Sequence, residues 1–299
     1  PTSFRTCVGE EAGVNLGSIV DIFEQRGWVQ PVDTVLGSIA STLFSPATPV
    51  QRRLKNVLHG TWLGHPLHAT ASDVPIGAWT TALTLDGLEL ATGDEAYGKG
   101  ADAAIALGMA AATGLVLSGI NDWQYLVART RSTGVVHATL NAAAGVLYTA
   151  SLVCRRADAR GAGRALALAG YGLTFSAAYL GGDLVLEEKI GTDQSKRLER
   201  PTDFTPVIAE ADLAPNAPRM VELNGTPVLV VRMASGRIYA IQDTCSHEAG
   251  PLHQGRLEDH TIVCPWHGSR FSLEDGRVLD GPATFPQQRY DARVRNGQV

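Results

Sequence analysis

The pattern of apolar and polar positions divides the chain into unlike parts. From Pro66 to about Glu188 it is rich in Ala, Gly and Leu, and three windows carry no Asp, Glu, Lys or Arg: Ala103–Ile120, Ser132–Cys154 and Ala165–Gly182. Each has 18 residues or more, enough at about 1.5 Å of rise per residue to cross most of a hydrocarbon core. A fourth stretch, Val74–Leu85, is shorter and is flanked by Asp73, Asp86 and Glu89. Begun at Pro66, it also reaches spanning length. Gly108, Gly114, Gly145 and Gly170 allow close helix packing in lipid, so the pattern predicts four antiparallel transmembrane helices over 61–191. An Ala-rich soluble bundle is the alternative, because alanine is only weakly apolar.

The flanks read differently. Residues 1–60 hold an amphipathic stretch, VDTVLGSIASTLF, and a basic run, QRRLKN. Both suit short helices, either at a membrane surface or as a solvated pair. Residues 192–202 are polar and read as a linker. Beyond them TPVLVVRMA, RIYAIQD and HTIVCP alternate between turn residues, which predicts an all-β domain over 203–299.

Charge sets the expected orientation. Near the spans, one side carries Arg52, Arg53, Lys55, Arg129, Arg131, Lys189, Lys196, Arg197 and Arg200, and the other Lys99, Arg155, Arg156, Arg160 and Arg164. That bias puts both termini, and the β domain, in the cytoplasm of a multi-pass cell-membrane protein, although the second arginine cluster pulls the other way. The first residues lack a sustained apolar core, so a chain starting in the cytoplasm is expected. A net charge of −5 gives no basic field for nucleic acid. Mean hydropathy is only +0.01, an average over unlike halves. Cys7 and Cys154 are far apart and read as free structural thiols.

The densest chemistry lies in CSHEAGPLHQGRLEDHTIVCPWHGSRFS. Cys245-x-His247 is followed, sixteen residues on, by Cys264-x-x-His267. A structural zinc site is one reading, but zinc knuckles usually pair like with like. Mixed pairs suit a binuclear cluster with both sulfurs on one iron and both nitrogens on the other.

These stretches, with DGRVLDGPA, resemble the bacterial Rieske [2Fe–2S] ferredoxin family over about 203–299. The resemblance implies a β-sandwich with Cys245, His247, Cys264 and His267 on two loops at its tip, covered by a segment containing Pro282. Rieske proteins of cytochrome bc complexes carry an extra disulfide, and Gly250 and Trp266 stand at those places here. A hydrogen-bonding tyrosine of the high-potential group is replaced by Phe271, while Ser269 is retained. Fewer donors to the cluster imply a potential nearer about −150 mV than +300 mV. No soluble domain follows for a mononuclear iron, so oxygenase activity of this chain alone is not expected. His253 and His260 read as solvated surface residues.

The stretches HGTWLGHPLHATASDVPIGAW, GINDW, HATLN and GGDLVLEEKIG resemble a family of small four-helix bacterial membrane proteins of unassigned function. The chain departs from it at Ala69 and at Glu187–Glu188. In an antiparallel bundle His59, His65, His68 and Asp73 gather at one end with Asn121, Asp122, His137 and Asp183, the end expected to carry the Rieske domain. His137 and Asn141 share a helix face. Three explanations stand: haem b held by His68 and His137; a non-haem metal on His65, His68 and His137 with Asp73, Asn141 or Asp183 in support; or histidines and carboxylates that make interhelical hydrogen bonds or mark a quinone pocket.

The expected whole is an electron-transfer protein with a reductase, quinone or haem as redox partner and a lipid bilayer as its setting. An oxidoreductase acting on quinone or a lipophilic substrate, and a redox or iron–sulfur sensor, are the other classes. Oligomeric state, a homo-oligomer included, stays open.

Overall fold

The computed structural model describes residues 27–44, 48–195 and 203–299. Cys7, Lys196, Arg197, Arg200 and most of the expected linker lie outside the described residues.

Two helices precede the apolar region. Helix α1 spans Val29–Leu43. Helix α2 spans Pro49–His59, where Thr48 and Gln51 form a capping box and Pro49 occupies the first turn. It ends at Gly60, whose φ of +83° is natural for glycine. Neither stands alone. Val29 packs with Trp123, Leu126 and Val135, and Leu58 with Ala40 and Phe44.

The expected first span is broken in two. Helix α3 covers only Leu67–Ala71, with Pro66 as its N-cap, and α4 runs from Asp73 to Thr92. The reason is Pro75, which has no N–H to donate to the carbonyl four residues earlier, at Ala71. Helices α5 (Glu95–Trp123), α6 (Ala128–Arg156) and α7 (Arg160–Gly182) follow, joined by short connections. A five-residue π turn, Asp183–Glu187, extends α7. The helices pair as hairpins α4/α5 and α6/α7, with α5 against α6 and α4 against α7.

The centre of this bundle is a stacked pair, Trp79 on Tyr148 with centroids 4.3 Å apart, surrounded by Ala82, Ala101, Ile105, Ala144 and Ala167. One end is closed by buried charge. Arg155 donates to Asp86 and Asp102, and Arg160 and Arg164 to Glu89. Three of the second loop's arginines, Arg155, Arg160 and Arg164, are therefore engaged in ion pairs. Among the described residues, Glu95–Trp123 and Thr130–Arg156 are long and apolar enough to cross a membrane, with mean hydropathies of 1.9 and 1.2.

The C-terminal part is the expected all-β domain. Strands β1 (Arg219–Leu223), β2 (Thr226–Arg232), β3 (Ile238–Gln242) and β8 (Arg289–Tyr290) form one sheet in the order β1-β2-β3-β8. The other sheet orders β4 (Arg256–Glu258), β5 (Thr261–Val263), β6 (Arg270–Ser272) and β7 (Val278–Asp280) in sequence. Asn224–Gly225, both at positive φ, make the tight turn between β1 and β2. The core holds Leu229, Ile241, Leu252, Ile262 and Phe271.

The two parts meet at the helical end opposite the charge cluster. Asn56 Nδ2 donates to Asp280 Oδ1 at 2.7 Å, and its Oδ1 accepts from Gly281 N at 3.1 Å. Gln194 N donates to Ser246 O at 3.0 Å. The β domain thus presents its Cys–His loops to α2 and the α5–α6 connection.

Candidate iron–sulfur centre and its dock

Each Cys–His pair sits in a tight loop closed by its own backbone. In the first, Cys245 N donates to Gly250 O and Ala249 N to Cys245 O, both at 2.9 Å. In the second, Cys264 N donates to Ser269 O at 2.8 Å, and Gly268 N to Cys264 O at 3.2 Å. The loops leave β3 and β5, so the two sheets fix their separation.

The four side chains then sort by element. The thiols of Cys245 and Cys264 are hydrogen-bonded to each other, and backbone N–H groups of His247 and Glu248 point at the first sulfur, those of Trp266 and His267 at the second. His247 Nδ1 and His267 Nδ1 converge to 3.1 Å. The Cys245 thiol donates to Cys264, which pulls Cys264 down to about 7 and pushes Cys245 up. Burial, then His267 and His59, lowers His247 to about 3, and burial lowers His267. Burial disfavours the charged form of both rings, the direction that suits neutral metal ligands. Paired sulfurs and paired nitrogens fit a [2Fe–2S] cluster.

The surroundings bear on its chemistry. A Cβ on Gly250 would come within 3.0 Å of Cys264 Sγ and 3.1 Å of the Trp266 ring. The two places expected to lack a disulfide do face each other, and an indole fills the gap. Ser269 is buried, its Oγ accepting from Ala283 N at 3.0 Å, while Phe271 is an apolar core residue. Pro282, also buried, follows Gly281 in the third loop. Trp266 is 56 % exposed. His253 is held by Asp243 at 2.7 Å rather than simply solvated, and His260 contacts Tyr239 and Glu274.

The helical domain meets both imidazoles. The Tyr125 ring lies 5.6 Å from His247 and 5.5 Å from His267, edge to face in each case. Lys55 Nζ donates to the Tyr125 hydroxyl at 2.8 Å, and the His59 ring lies 5.7 Å away. Burial, then Asp122, pushes the Tyr125 hydroxyl up, whereas burial pulls Lys55 down against Asp122. Tyr125, Lys55 and Asn56 were not among the expected site residues. Tyr125 follows directly after GIND-W-Q in the chain, the one local signal for it.

Of the expected second site, His68 and His137 come together with ring centroids 6.1 Å apart. Their Nδ1 atoms meet carbonyls of Leu115 at 3.0 Å and Ala177 at 2.8 Å, and Asn141 Nδ2 reaches His137 Nε2 at 3.1 Å. Gly119 and Gly181 leave room for the two rings. His65 stands apart, against Phe285 of the β domain at 5.5 Å, and Asp73 is exposed. Asp183 begins the π turn.

Comparison with known proteins defines the class. Residues 203–291 match the Rieske [2Fe-2S] domain, and residues 64–194 match a family described as predicted membrane protein (DUF2231). Ferredoxin CarAc of Metapseudomonas resinovorans is 33 % identical over 93 residues, covering 31 % of this chain and 87 % of that one. The 3-phenylpropionate/cinnamic acid dioxygenase ferredoxin subunit of Escherichia coli (strain K12) is 36 % identical over 80 residues, 26 % of this chain and 76 % of that one. Among solved structures, the ferredoxin of carbazole 1,9a-dioxygenase from Nocardioides aromaticivorans IC177 is 30 % identical, covering 31 % of this chain and 91 % of that one, with a TM-score of 0.30. The chain belongs to the Rieske [2Fe–2S] family, with a DUF2231 domain ahead of the cluster domain. Cys245, His247, Cys264 and His267 would hold the cluster, which supplies one-electron transfer.

Proposed function

We propose that the chain is a membrane-held Rieske electron carrier, exchanging single electrons between its cluster and a redox partner at the helical domain. The observation that carries this is the dock. The imidazole edge of the cluster site faces Tyr125, at the same end of the bundle where His68 and His137 meet. That partner is haem b on His68 and His137, or a quinone at the same polar cluster. His65, Asp73, Asn141 and Asp183 remain candidates for its surroundings. Curated relatives are titled ferredoxins and ferredoxin subunits of dioxygenases, which supports a redox partner in general.

A bilayer is supported by where the apolar side chains point. Only 22 % of the apolar window of α5 and 28 % of that of α6 is buried, while Arg155, Asp86 and Glu89 are inside. A water-soluble bundle favours the reverse. We read α4–α7 as four spans with the Rieske domain in the cytoplasm.

A second reading is an oxidoreductase acting on quinone or a lipophilic substrate at the polar histidine cluster where His68 and His137 meet.

The test is the full chain expressed with ample iron and haem. The expected result is a protein retained in carbonate-washed membranes, with non-haem iron and acid-labile sulfide in equal amounts and a cluster spectrum after reduction. A Soret band that reduces in step with the cluster selects haem. Its absence removes haem and leaves a quinone, a non-haem metal or a purely structural histidine cluster, and absence of acid-labile sulfide overturns the reading.

A further inference from the structure

Helices α1 and α2 each turn an apolar stripe outward. On α1, Val35, Ile39 and Leu43 are exposed, and on α2, Val50, Leu54 and Val57. Each set recurs every three or four residues and so forms one face of its helix. The inner faces are fixed. Asp33 pairs with Arg131, and Leu58 packs with Ala40 and Phe44 over Ile120 of α5. Val29 packs with Trp123 of α5 and Val135 of α6. Both helices therefore lie at the level where α5 ends and α6 begins, with their stripes facing away from the bundle.

The outer face of α1 is unlike one built for water. Asp33 is the single charged residue in the helix, and it is engaged with Arg131. Exposed hydroxyls turn back on the backbone: Thr34 donates to Gln30 O at 2.9 Å, Ser41 to Ser38 O at 3.0 Å and Thr42 to Ser38 O at 2.8 Å. Such back-bonding leaves little polar demand on the surroundings.

On α2 the stripe is flanked by Arg53, which is exposed. Past its end Trp62 is 65 % exposed, and its indole N–H donates to Val57 O at 3.1 Å, which lays the ring beside the stripe. Trp62 and Leu63 then lead through Pro66 into α3, at the start of the first expected span. An apolar stripe, a flanking basic side chain and an amphipathic ring are the parts of a helix that lies in a membrane interface.

We propose that α1 and α2 form a collar seated in the headgroup layer of an anionic bilayer, with Val35, Ile39, Leu54 and Val57 toward the acyl chains and Arg53 on the lipid phosphates. The inference rests on the reading of α4–α7 as spans and adds a peripheral lipid contact to them. It also sets the height of the cluster domain. Lys55 and Asn56 stand on the side of α2 away from the stripe, where they hold Tyr125 and the third cluster loop. That domain thus rests one helix diameter, about 10–12 Å, from the lipid. A membrane partner meets it at the level of the headgroups.

The test is photocrosslinking of the full chain in nanodiscs of phosphatidylcholine and phosphatidylglycerol. A benzophenone amino acid is placed in turn at Leu54, at Ile39 and, as the reference for a span, at Val146, and adducts are identified by mass spectrometry. The expected result is lipid adducts at all three positions, with phosphatidylglycerol in excess at Leu54 and that excess lost in Arg53→Gln. Where Val146 yields lipid adducts, the proposal is overturned if Leu54 and Ile39 couple to this chain's own residues, to a second copy or to nothing. An excess that Arg53→Gln leaves unchanged overturns it too. Absence of lipid adducts at Val146 would instead sink the reading of α4–α7 as spans.

Discussion

The rings of Tyr125 and His247 meet edge to face with centroids 5.6 Å apart. One belongs to the connection between α5 and α6, the other to the cluster loops, so this contact joins the two domains at the redox end. It is framed by Asn56, which bonds Asp280 and Gly281 together. A hydrogen bond to a charged acceptor contributes about 1.5–3 kcal/mol. Asn56→Asp replaces it with two facing carboxylates and should lower the docked population by roughly ten- to a hundredfold, at about 1.4 kcal/mol per factor of ten. The measurement is the rate at which ferricyanide oxidises the reduced cluster. It should rise in the variant, and an unchanged rate would mean the dock does not shield the imidazoles.

Gly250→Ala tests the packing of the cluster loops. The new methyl would crowd Cys264 Sγ at 3.0 Å and the Trp266 ring at 3.1 Å. Overpacking of this kind costs about 1–3 kcal/mol. Cluster absorbance should decay faster on heating than in the parent, with the apo β domain much less affected.

Asp86→Ala probes the opposite end. Arg155 would keep a buried guanidinium with its main partner removed. Breaking a buried pair from one side costs about 3–5 kcal/mol. Thermal unfolding of the helical domain in detergent should move down accordingly, while the reduced cluster's EPR spectrum stays as it was.

Val146→Arg separates lipid from water. Val146 is 67 % exposed midway along α6. In a spanning helix the substitution costs about 2.5–3.5 kcal/mol of insertion. On the surface of a soluble bundle it would fall within about 0.5 kcal/mol. A glycosylation-scored insertion assay of α6 distinguishes the two.

Lys55 predicts a pH effect. Burial lowers its pKa below 10.5, so between the folded value and 10.5 the unfolded chain binds more protons. Stability should therefore rise with pH through that window and be lost as pH falls through the folded value. Lys55→Met keeps the apolar stem. The difference in melting temperature between parent and variant should shrink as pH approaches 10.5.

What could be read from sequence follows from the range of the interaction. Cluster ligands must sit on short loops, so candidates for them show as spacing, and the structure pairs Cys245 with Cys264 and His247 with His267. The uncharged windows fall within helices because apolar composition is a local property, but among the described residues only α5 and α6 are long and apolar enough to cross a membrane, not all four expected spans. The break at Ser72 was legible in principle, since Pro75 cannot bond Ala71. The dock was not. Asn56 and Asp280 are 224 residues apart, and His59 and Asp122 are 63 apart. No periodicity links such pairs. His59 was placed at the correct end with Asp122, but its burial under Gly281 depends on how the β domain lands.

The pinning of Gln194 to Ser246 has a kinetic consequence. Only seven residues separate Ser195 from Asp203, a contour of about 25 Å at the usual 3.3–3.6 Å per residue. On so short a leash the cluster domain samples a small volume, and its effective concentration at the helical surface is in the millimolar range or above. A handful of contacts suffices to hold it there.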